Sequence, residues 1–180
     1  MRFAATGIPG VVAVDAEPHR DARGLFARLY CPDEFAAAGI DFRPMQVNLS
    51  TNVQRLTMRG MHFQKAPFAE SKLVRVVRGR AWDVALDLRP GPRQGRWIAR
   101  ELTAGGMEAL FLPEGVAHGF LTLEPDTHIL YQMGTSHVPG QADGVRWDDP
   151  AFGIRWPEAP RVVADQDRAW PDFRSRADLR

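Results

Sequence analysis

Short runs of apolar or alternating apolar and polar residues recur along the chain, and glycine or proline closes most of them. Four runs have the length and the residue types of strands, at 73–77, 81–86, 109–112 and 128–131. Turn-forming residues lie between or beside them, at 78–80, 89–92 and 104–106. Because many short, evenly spaced strands are typical of a sandwich or a barrel, the pattern predicts an all-β fold.

Helical patterns are scarce in this chain. The best helix candidate covers residues 32–38, where Pro32 suits a first helical turn and Gly39 ends the run. The C-terminal residues 174–180 are charged, which predicts a frayed end. We therefore expect a β barrel with a few short helices.

Composition narrows the class of protein. With 180 residues, 44% of them hydrophobic, the chain is expected to form one domain, residues 1–180, with a sizeable core. A net charge of +1 is too small to produce an electrostatic field that attracts nucleic acid, so we expect no nucleic-acid partner. The single cysteine, Cys31, excludes an internal disulfide and suits a reducing compartment. No signal peptide is visible and no apolar run approaches the roughly 18 residues of a membrane helix, so we expect a cytoplasmic protein without a membrane partner.

The stretch FLPEGVAHGF, at residues 111–120, has the features of a tight turn that leads into an apolar strand. Pro113 fixes its backbone φ angle, Gly115 permits the turn, and His118 follows into the strand. This spacing resembles the second half-motif of the cupin superfamily, in which the histidine usually holds a metal ion. The resemblance implies a cupin jelly-roll barrel.

The first cupin half-motif normally supplies His-x-His and then a glutamate as metal ligands. The corresponding residues here, 59–64, read RGMHFQ, so His62 is kept and Gln64 replaces the second histidine. A transition-metal site needs three or four converging N, O or S ligands, and His62 with His118 makes only two. The spacing of Glu70 from His62 is loose. The sequence therefore predicts no metal, and a metal-dependent cupin enzyme is kept as an alternative.

Without a metal, paired side chains must carry the chemistry. Arg59, His62 and Lys72 come close together if their strands pair, which places a proton acceptor beside two cations. Tyr131 ends a strand and offers a phenol as a proton donor, and Asp167 offers a carboxylate that orients a histidine. This set suits proton abstraction next to a carbonyl. No activated serine or cysteine stands out for acyl transfer.

The same residues also have structural interpretations. A histidine in an apolar strand is often a satisfied core residue, and Lys72 and Tyr131 suit ordinary strand positions. Asp83, inside an apolar run, is expected to satisfy a buried neighbour such as His118. Spacing alone therefore does not decide whether these residues are catalytic or structural.

Eight segments resemble the dTDP-4-dehydrorhamnose 3,5-epimerase family, in the family's order and over nearly the whole chain. They are DARGLF (21–26), QVNLS (46–50), RGMHFQ (59–64), ESKLVRVVRG (70–79), DVALDLRPG (83–91), LPEGVAHGFLTL (112–123), GVRWDDPAFGIRWP (144–157) and an Asp-Arg pair near the end. One such motif is weakly specific, whereas eight in order are strong. The resemblance implies a cofactor-independent epimerase of a nucleotide-linked 4-keto-6-deoxyhexose.

The resemblance also implies catalytic roles. His62 is similar to the catalytic base, with Asp167 as its carboxylate partner. Tyr131 is similar to the tyrosine that returns a proton from the opposite face, and Lys72 to the lysine that stabilises the enolate oxygen. His118 is similar to a histidine that lines a pocket and not to a metal ligand. No redox cofactor is implied.

Substrate binding and assembly follow from the same resemblance. Arg59 and Arg23 are similar to arginines that hold the substrate or its diphosphate, and Gln46 and Asn48 to polar residues that line the site. The family works as a homodimer whose N-terminal segment lies against the partner, so Arg23 and Phe26 are expected to serve the neighbouring site. A two-fold dimer is also the commonest oligomer.

Several positions depart from the family's pattern. Arg28 stands where the family tends to have an acidic residue facing the nucleotide base, Ser136 and His137 replace aromatic residues, and Gln166 replaces a lysine. The sequence therefore leaves the nucleotide open among dTDP, CDP and GDP. It also leaves open whether C3, C5 or both are inverted, and it keeps a non-catalytic sugar-nucleotide-binding cupin as an alternative.

Overall fold

Strands form most of the computed structural model, which describes residues 1–179. In chain order they are β1 (Arg2–Ala5), β2 (Val12–Asp15), β3 (His19–Asp21), β4 (Gly24–Phe26), β5 (Gln46–Asn52), β6 (Thr57–Gln64), β7 (Lys72–Arg78), β8 (Arg80–Asp87), β9 (Trp97–Thr103), β10 (Glu108–Leu112), β11 (Val116–Thr122), β12 (Thr127–Met133), β13 (Ala142–Gly144) and β14 (Val162–Val163). The helical segments are α1 (Pro32–Ala37), α2 (Asp165–Ala169) and two 3₁₀ turns, Phe173–Ser175 and Ala177–Leu179. The four predicted strand runs lie in β7, β8, β10 and β12, so the all-β prediction is confirmed.

The strands assemble into two facing sheets. The order across the first sheet is β1-β2-β10-β7-β12-β5, and the order across the second is β13-β6-β11-β8-β9, with β14 beside β6. β3 and β4 form a separate antiparallel hairpin. Strands that follow each other in sequence often lie in opposite sheets, which gives the jelly-roll arrangement that was expected.

Alternation of side chains divides β7 between two apolar layers. Val74 and Val76 pack between the sheets, against Ala85 of β8 and Phe120 of β11. Leu73 points to the opposite face and packs in a second cluster under α1. The strand is therefore apolar on both faces, which explains why its sequence reads as an almost unbroken apolar run.

Helix α1 covers the outer face of the first sheet. It begins at Pro32, where a missing N–H is tolerated. Two acidic residues in its first turn interact favourably with the positive end of the helix dipole. It ends before Gly39, whose φ of 77° suits glycine. Phe35, on the inner side of the helix, is fully buried. Its burial contributes about 2 kcal/mol to the stability of the fold by the usual scale for an apolar side chain. Across residues 1–179, no helix is long and apolar enough to span a membrane.

The C-terminal segment is fastened to the second sheet by charges. Arg176 pairs with Asp143 of β13 at 2.6 Å and with Asp178 at 2.9 Å. Lys65 lies 2.7 Å from both carboxylates. The prediction of a frayed end is therefore wrong for residues 174–179, because its charges have partners on the barrel. Arg180 lies outside the described residues.

Candidate active site

A cavity of about 380 Å³ opens between the two sheets. Strands β5, β7 and β12 form one wall, and β6 and β11 form the other. The β12–β13 loop (residues 134–141) and α2 also contribute side chains. The predicted site residues that line the cavity are Gln46, Asn48, Arg59, His62, Lys72, His118 and Tyr131.

A register shift in β6 turns two of these side chains into the cavity. His118 of β11 pairs with His62, but the residue two positions further along β11 pairs with Arg59, so β6 holds one extra residue. Residues three apart on a regular strand point to opposite faces, and the extra residue brings Arg59 and His62 to the same face. Two glycines permit this arrangement, since a Cβ on Gly60 would lie 2.5 Å from the Cα of Gly119.

His62 and Asp167 form a hydrogen-bonded pair in the cavity wall. Nε2 of His62 lies 2.6 Å from Oδ1 of Asp167, and Oδ2 accepts the backbone N–H of Gly60 at 3.1 Å. The side chain of His62 is 43% exposed, whereas that of Asp167 is 5% exposed. Because α2 begins just before Asp167, the placement of this carboxylate depends on the docked C-terminal segment.

The surroundings of Asp167 favour its ionised form. Burial opposes the charge, but the hydrogen bond and the charge of His62, with the Gly60 N–H and Trp170, hold the pKa of Asp167 below its ordinary value. An ionised Asp167 accepts a hydrogen bond from the Nε2–H of His62. Nδ1 is then the ring nitrogen with a free lone pair, which makes it the proton acceptor.

His118 and Asp83 form a second pair, more deeply buried. Nε2 of His118 lies 2.8 Å from Oδ2 of Asp83, and the two side chains are 4% and 0% exposed. The expectation that Asp83 satisfies His118 is thus confirmed. The ring of His118 meets that of Tyr131 edge-on, with centroids 5.7 Å apart. Burial raises the pKa of the Tyr131 phenol and Asp83 adds to the rise, while Arg59 opposes it, so the phenol is protonated at neutral pH.

Lys72 enters the cavity from the first sheet. Its Nζ lies 2.7 Å from Oε1 of Glu70 and donates to the backbone oxygen of His62 at 3.2 Å. Oε2 of Glu70 accepts from Nε2 of Gln64 at 2.8 Å. The strands of His62 and Lys72 do not pair, because β6 and β7 lie in different sheets. The residues meet because the two sheets face each other across the cavity.

Polar side chains of β5 line the same cavity. Gln46 donates through Nε2 to Oδ1 of Asn48 at 2.9 Å, and its Oε1 accepts the backbone N–H of His137 at 3.0 Å. Arg59 donates through Nε to Oδ1 of Asn52 at 2.9 Å. These bonds hold Arg59, Gln46 and Asn48 in place before any substrate binds.

Arg23 and Phe26 lie on the β3–β4 hairpin, outside the cavity of their own chain. Arg23 is exposed and pairs with Asp21 at 2.5 Å, and Phe26 is 76% exposed. Arg28 follows the hairpin and pairs with Glu34 of α1 at 2.7 Å. The structure of one chain therefore does not bring Arg23 and Phe26 to the predicted site.

Some cavity residues were not found from the sequence. His137 and Gln166, which were noted only as departures from the family's pattern, both line the cavity. Phe120 and Trp170 also line it and were missed. Phe120 lies two residues after His118 on β11, so strand alternation alone places it on the same face. Trp170 comes from the C-terminal segment, which no local pattern connects to the barrel.

The cavity combines the groups that proton transfer at carbon requires. His62 and His118 each bond a carboxylate through Nε2, and a protonated phenol and a lysine lie beside them. Within residues 1–179, no group of three His, Cys, Asp or Glu side chains is placed to hold a metal ion. Fold and site together define a jelly-roll protein equipped for acid–base chemistry.

Comparison with known proteins identifies the family. The family model of dTDP-4-dehydrorhamnose 3,5-epimerase matches residues 5–175. A protein of that name from Sinorhizobium fredii is 38% identical over 96% of this chain and 90% of its own length. A dTDP-4-dehydrorhamnose 3-epimerase from Streptomyces niveus is 36% identical over 93% of this chain and 82% of its own length.

A solved structure extends this similarity to three dimensions. The dTDP-4-dehydrorhamnose 3,5-epimerase of Bacillus anthracis, crystallised with TDP and PPi bound, superposes with a TM-score of 0.92. It is 32% identical and the match covers 96% of this chain and 99% of that one. The chain therefore belongs to the dTDP-4-dehydrorhamnose 3,5-epimerase family and has its cupin jelly-roll fold. It is an isomerase.

Proposed function

We propose that this chain epimerises a nucleotide-linked 4-keto-6-deoxyhexose at C3, C5 or both, through an enolate and without a metal or redox cofactor. One observation carries the proposal. His62 and Tyr131 line one cavity from opposite sheets, His62 from β6 and Tyr131 from β12. Inversion at carbon requires a base on one face and an acid on the other, because the proton leaves from one side and returns from the other.

In the first half of the reaction, His62 acts as the base. Its Nδ1 takes the proton from the carbon next to the C4 ketone, and the electrons of the C–H bond form the enolate. Asp167 stabilises the resulting imidazolium through the 2.6 Å bond to Nε2. Lys72 donates a hydrogen bond to the oxygen on which the negative charge develops.

In the second half, Tyr131 acts as the acid. The enolate takes the phenolic proton on its other face, which restores the ketone and leaves the carbon inverted. The raised pKa of Tyr131 supports this role, since the phenol holds its proton until the enolate forms. The tyrosinate then regains a proton from solvent and the imidazolium loses one. No electrons are gained or lost overall.

The remaining cavity residues suit a charged nucleotide sugar. Arg59 offers a planar guanidinium for the diphosphate. Gln46, Asn48 and His118 offer polar contacts along the cavity walls. We propose dTDP as the first nucleotide to test, because the relatives are named for dTDP sugars, and CDP and GDP as the alternatives. We place the reaction in the cytoplasm, in keeping with the single cysteine, Cys31.

We further propose that the working unit is a homodimer. Phe26 on the β3–β4 hairpin and Val47 and Leu49 on β5 are large, apolar and exposed. β5 is an edge strand of the first sheet, and such an edge invites pairing with another chain. In the dimer the hairpin of one chain reaches the cavity of the other, which gives Arg23 and Phe26 their predicted place beside the substrate.

Deuterium incorporation tests the proposed reaction. The protein is incubated in D₂O with dTDP-, CDP- and GDP-linked 4-keto-6-deoxyhexoses, and the C3 and C5 protons are followed by NMR. Exchange with one nucleotide series supports the proposal and shows which carbons react. Binding without exchange in any series contradicts it and favours a non-catalytic sugar-nucleotide-binding protein. Iron, manganese or zinc bound in equal proportion to the protein would instead favour the metal-dependent alternative.

A further inference from the structure

Glu70 lies beneath the cavity with both carboxylate oxygens occupied. Oε1 is 2.7 Å from Nζ of Lys72, and Oε2 accepts from Nε2 of Gln64 at 2.8 Å. The three side chains line the cavity and are nearly inaccessible to solvent. None of the steps above uses Glu70.

The contacts of Lys72 define what it offers to a substrate. An ammonium group has three N–H donors. One faces Glu70 and a second donates to the backbone oxygen of His62 at 3.2 Å, which leaves one for a ligand in the cavity. Because a carboxylate lies 2.7 Å away, Lys72 acts toward a ligand mainly as one directed hydrogen-bond donor and less as a free positive charge. That suits a ketone oxygen that becomes an enolate oxygen.

Gln64 connects Glu70 to the β12–β13 loop. Its Oε1 accepts the backbone N–H of Val138 at 3.3 Å. The residues on both sides of Glu70 hold the beginning of the same loop. The backbone N–H of Gly134 donates to the backbone oxygen of Ser71 at 2.8 Å, and the hydroxyl of Thr135 donates to the backbone oxygen of Ala69. The loop carries His137 into the cavity. One buried carboxylate is thus joined both to the cavity lysine and to the loop.

Energetics favour a positioning role over a stabilising one. Removing two charges from water is unfavourable, and the attraction within a buried ion pair seldom offsets this loss in stability. The benefit of the pair is geometric, because a fully hydrogen-bonded pair fixes the direction of the N–H that remains free. Preorganised donors of this kind typically contribute about 10²- to 10³-fold to turnover.

We infer that Glu70 is a positioning residue that aims the Lys72 ammonium at the reacting oxygen and, through Gln64, fixes the β12–β13 loop beside it. The inference rests on the proposed epimerisation for its catalytic half. Its structural half, the link from Glu70 to the loop, does not depend on any substrate.

Glu70→Gln is the sharpest test, because it keeps the size of the side chain. Lys72 and Gln64 contact different oxygens of Glu70, and the amide replaces one of these oxygens with an NH2 group, which faces a donor and cannot accept from it. We expect kcat to fall by about 10- to 100-fold with KM changed by less than about threefold, since a donor to the developing enolate is misdirected while binding remains. Unchanged kcat in a folded variant would overturn the inference.

A matched control separates positioning from loss of a charge. Glu108→Gln removes a partly buried carboxylate that pairs with Arg100 on β9, away from the cavity. It is expected to leave kcat within about twofold. In a Lys72→Met background, Glu70→Gln is expected to have no further effect on kcat, because Glu70 acts through the lysine. Equal losses in Glu70→Gln and Glu108→Gln, or additive losses with Lys72→Met, would contradict positioning.

Backbone hydrogen exchange provides a readout that needs no substrate. The peptide that contains Val138 is expected to exchange at least about fivefold faster in Glu70→Gln than in the parent, while peptides from β8 and β10 are unchanged. Unchanged exchange at Val138 would overturn the link to the loop. If the parent protein turns over no nucleotide sugar, the proposed function fails, and this measurement still decides whether Glu70 holds the loop.

Discussion

His62 and His118 lie opposite each other on paired strands, and each is bonded through Nε2 to a carboxylate, yet their surroundings differ. The side chain of His62 is 43% exposed, whereas that of His118 is 4% exposed and its partner Asp83 is completely buried. We propose that these two environments correspond to two tasks. The accessible pair acts on the substrate, and the buried pair supports the cavity wall beside Tyr131, whose ring His118 contacts.

The two pairs also differ in how the chain assembles them. Asp83 and His118 lie on adjacent strands β8 and β11, so the sheet itself brings them together. Asp167 comes from α2, and its approach to His62 depends on a C-terminal segment that Arg176 ties to Asp143. The accessible pair is thus built by tertiary docking, and the buried pair by strand pairing.

The largest expected effect comes from removing the accessible histidine. His62→Ala is expected to lower turnover by about 10²- to 10⁴-fold, since it removes the general base. The free energy of unfolding is expected to fall less than in His118→Asn, because the His62 ring is partly exposed, although the buried Asp167 loses its hydrogen-bond partner. Steady-state kinetics and urea unfolding check both parts. Turnover within about threefold of the parent would exclude His62 as the base.

Removing the phenol from the opposite wall is expected to have the next largest effect. Tyr131→Phe is expected to lower net epimerisation by about 10²-fold while solvent exchange at the abstracted carbon falls much less, because His62 still forms the enolate. Epimerised product and deuterium content are measured in the same NMR sample. Equal loss of both activities would contradict the division between base and acid.

Asp167→Asn is expected to lower turnover by about 10- to 100-fold, because the amide no longer stabilises the imidazolium of His62. It also has a pH signature. The folded-state pKa of Asp167 lies below its unfolded value, so the ionised carboxylate adds stability above the unfolded value, and this is lost as the pH falls through the folded value.

The stability gap between the parent and Asp167→Asn should therefore be largest near neutral pH and close as the pH falls below about 4. Urea unfolding across this range measures the gap. Asp165→Asn, on the same helix but exposed, is the control and is expected to show no such trend. A gap that widened in acid would contradict the assignment of Asp167 as an ionised partner.

The smallest expected effect on turnover comes from the buried pair. His118→Asn is expected to reduce turnover by only about tenfold, but it leaves Asp83 buried without its partner. Breaking a buried pair in this way costs about 3–5 kcal/mol, so the free energy of unfolding should fall by that order. The double variant His118→Asn, Asp83→Asn restores neutrality and should recover part of the loss. A turnover loss equal to that of His62→Ala would remove the distinction between the two pairs.

Sequence patterns predicted the barrel well, because strand alternation and glycine or proline turns are local. The runs in β7, β8, β10 and β12 and the helix at Pro32 needed no tertiary information. The pairing of Asp83 with His118 was also accessible, since a carboxylate inside an apolar run must find a partner.

The parts that could not be predicted depend on contacts between distant segments. The extra residue in β6 that turns both Arg59 and His62 inward follows from backbone packing at Gly60, which alternation does not describe. The proposed role of Glu70 follows from two sheets facing each other, and Trp170 reaches the cavity through the docked C-terminal segment. The family resemblance supplied the pairing of Asp167 with His62, which no local pattern shows.

Solvent exchange in the two histidine variants tests the central claim most directly. His62→Ala and His118→Asn are incubated in D₂O with the dTDP-linked 4-keto sugar, and deuterium at C3 and C5 is followed by NMR. The account predicts that His118→Asn still incorporates deuterium at a measurable rate and that His62→Ala incorporates none above the uncatalysed background. Exchange that persists in His62→Ala and disappears in His118→Asn would place the base on the buried pair and contradict the account.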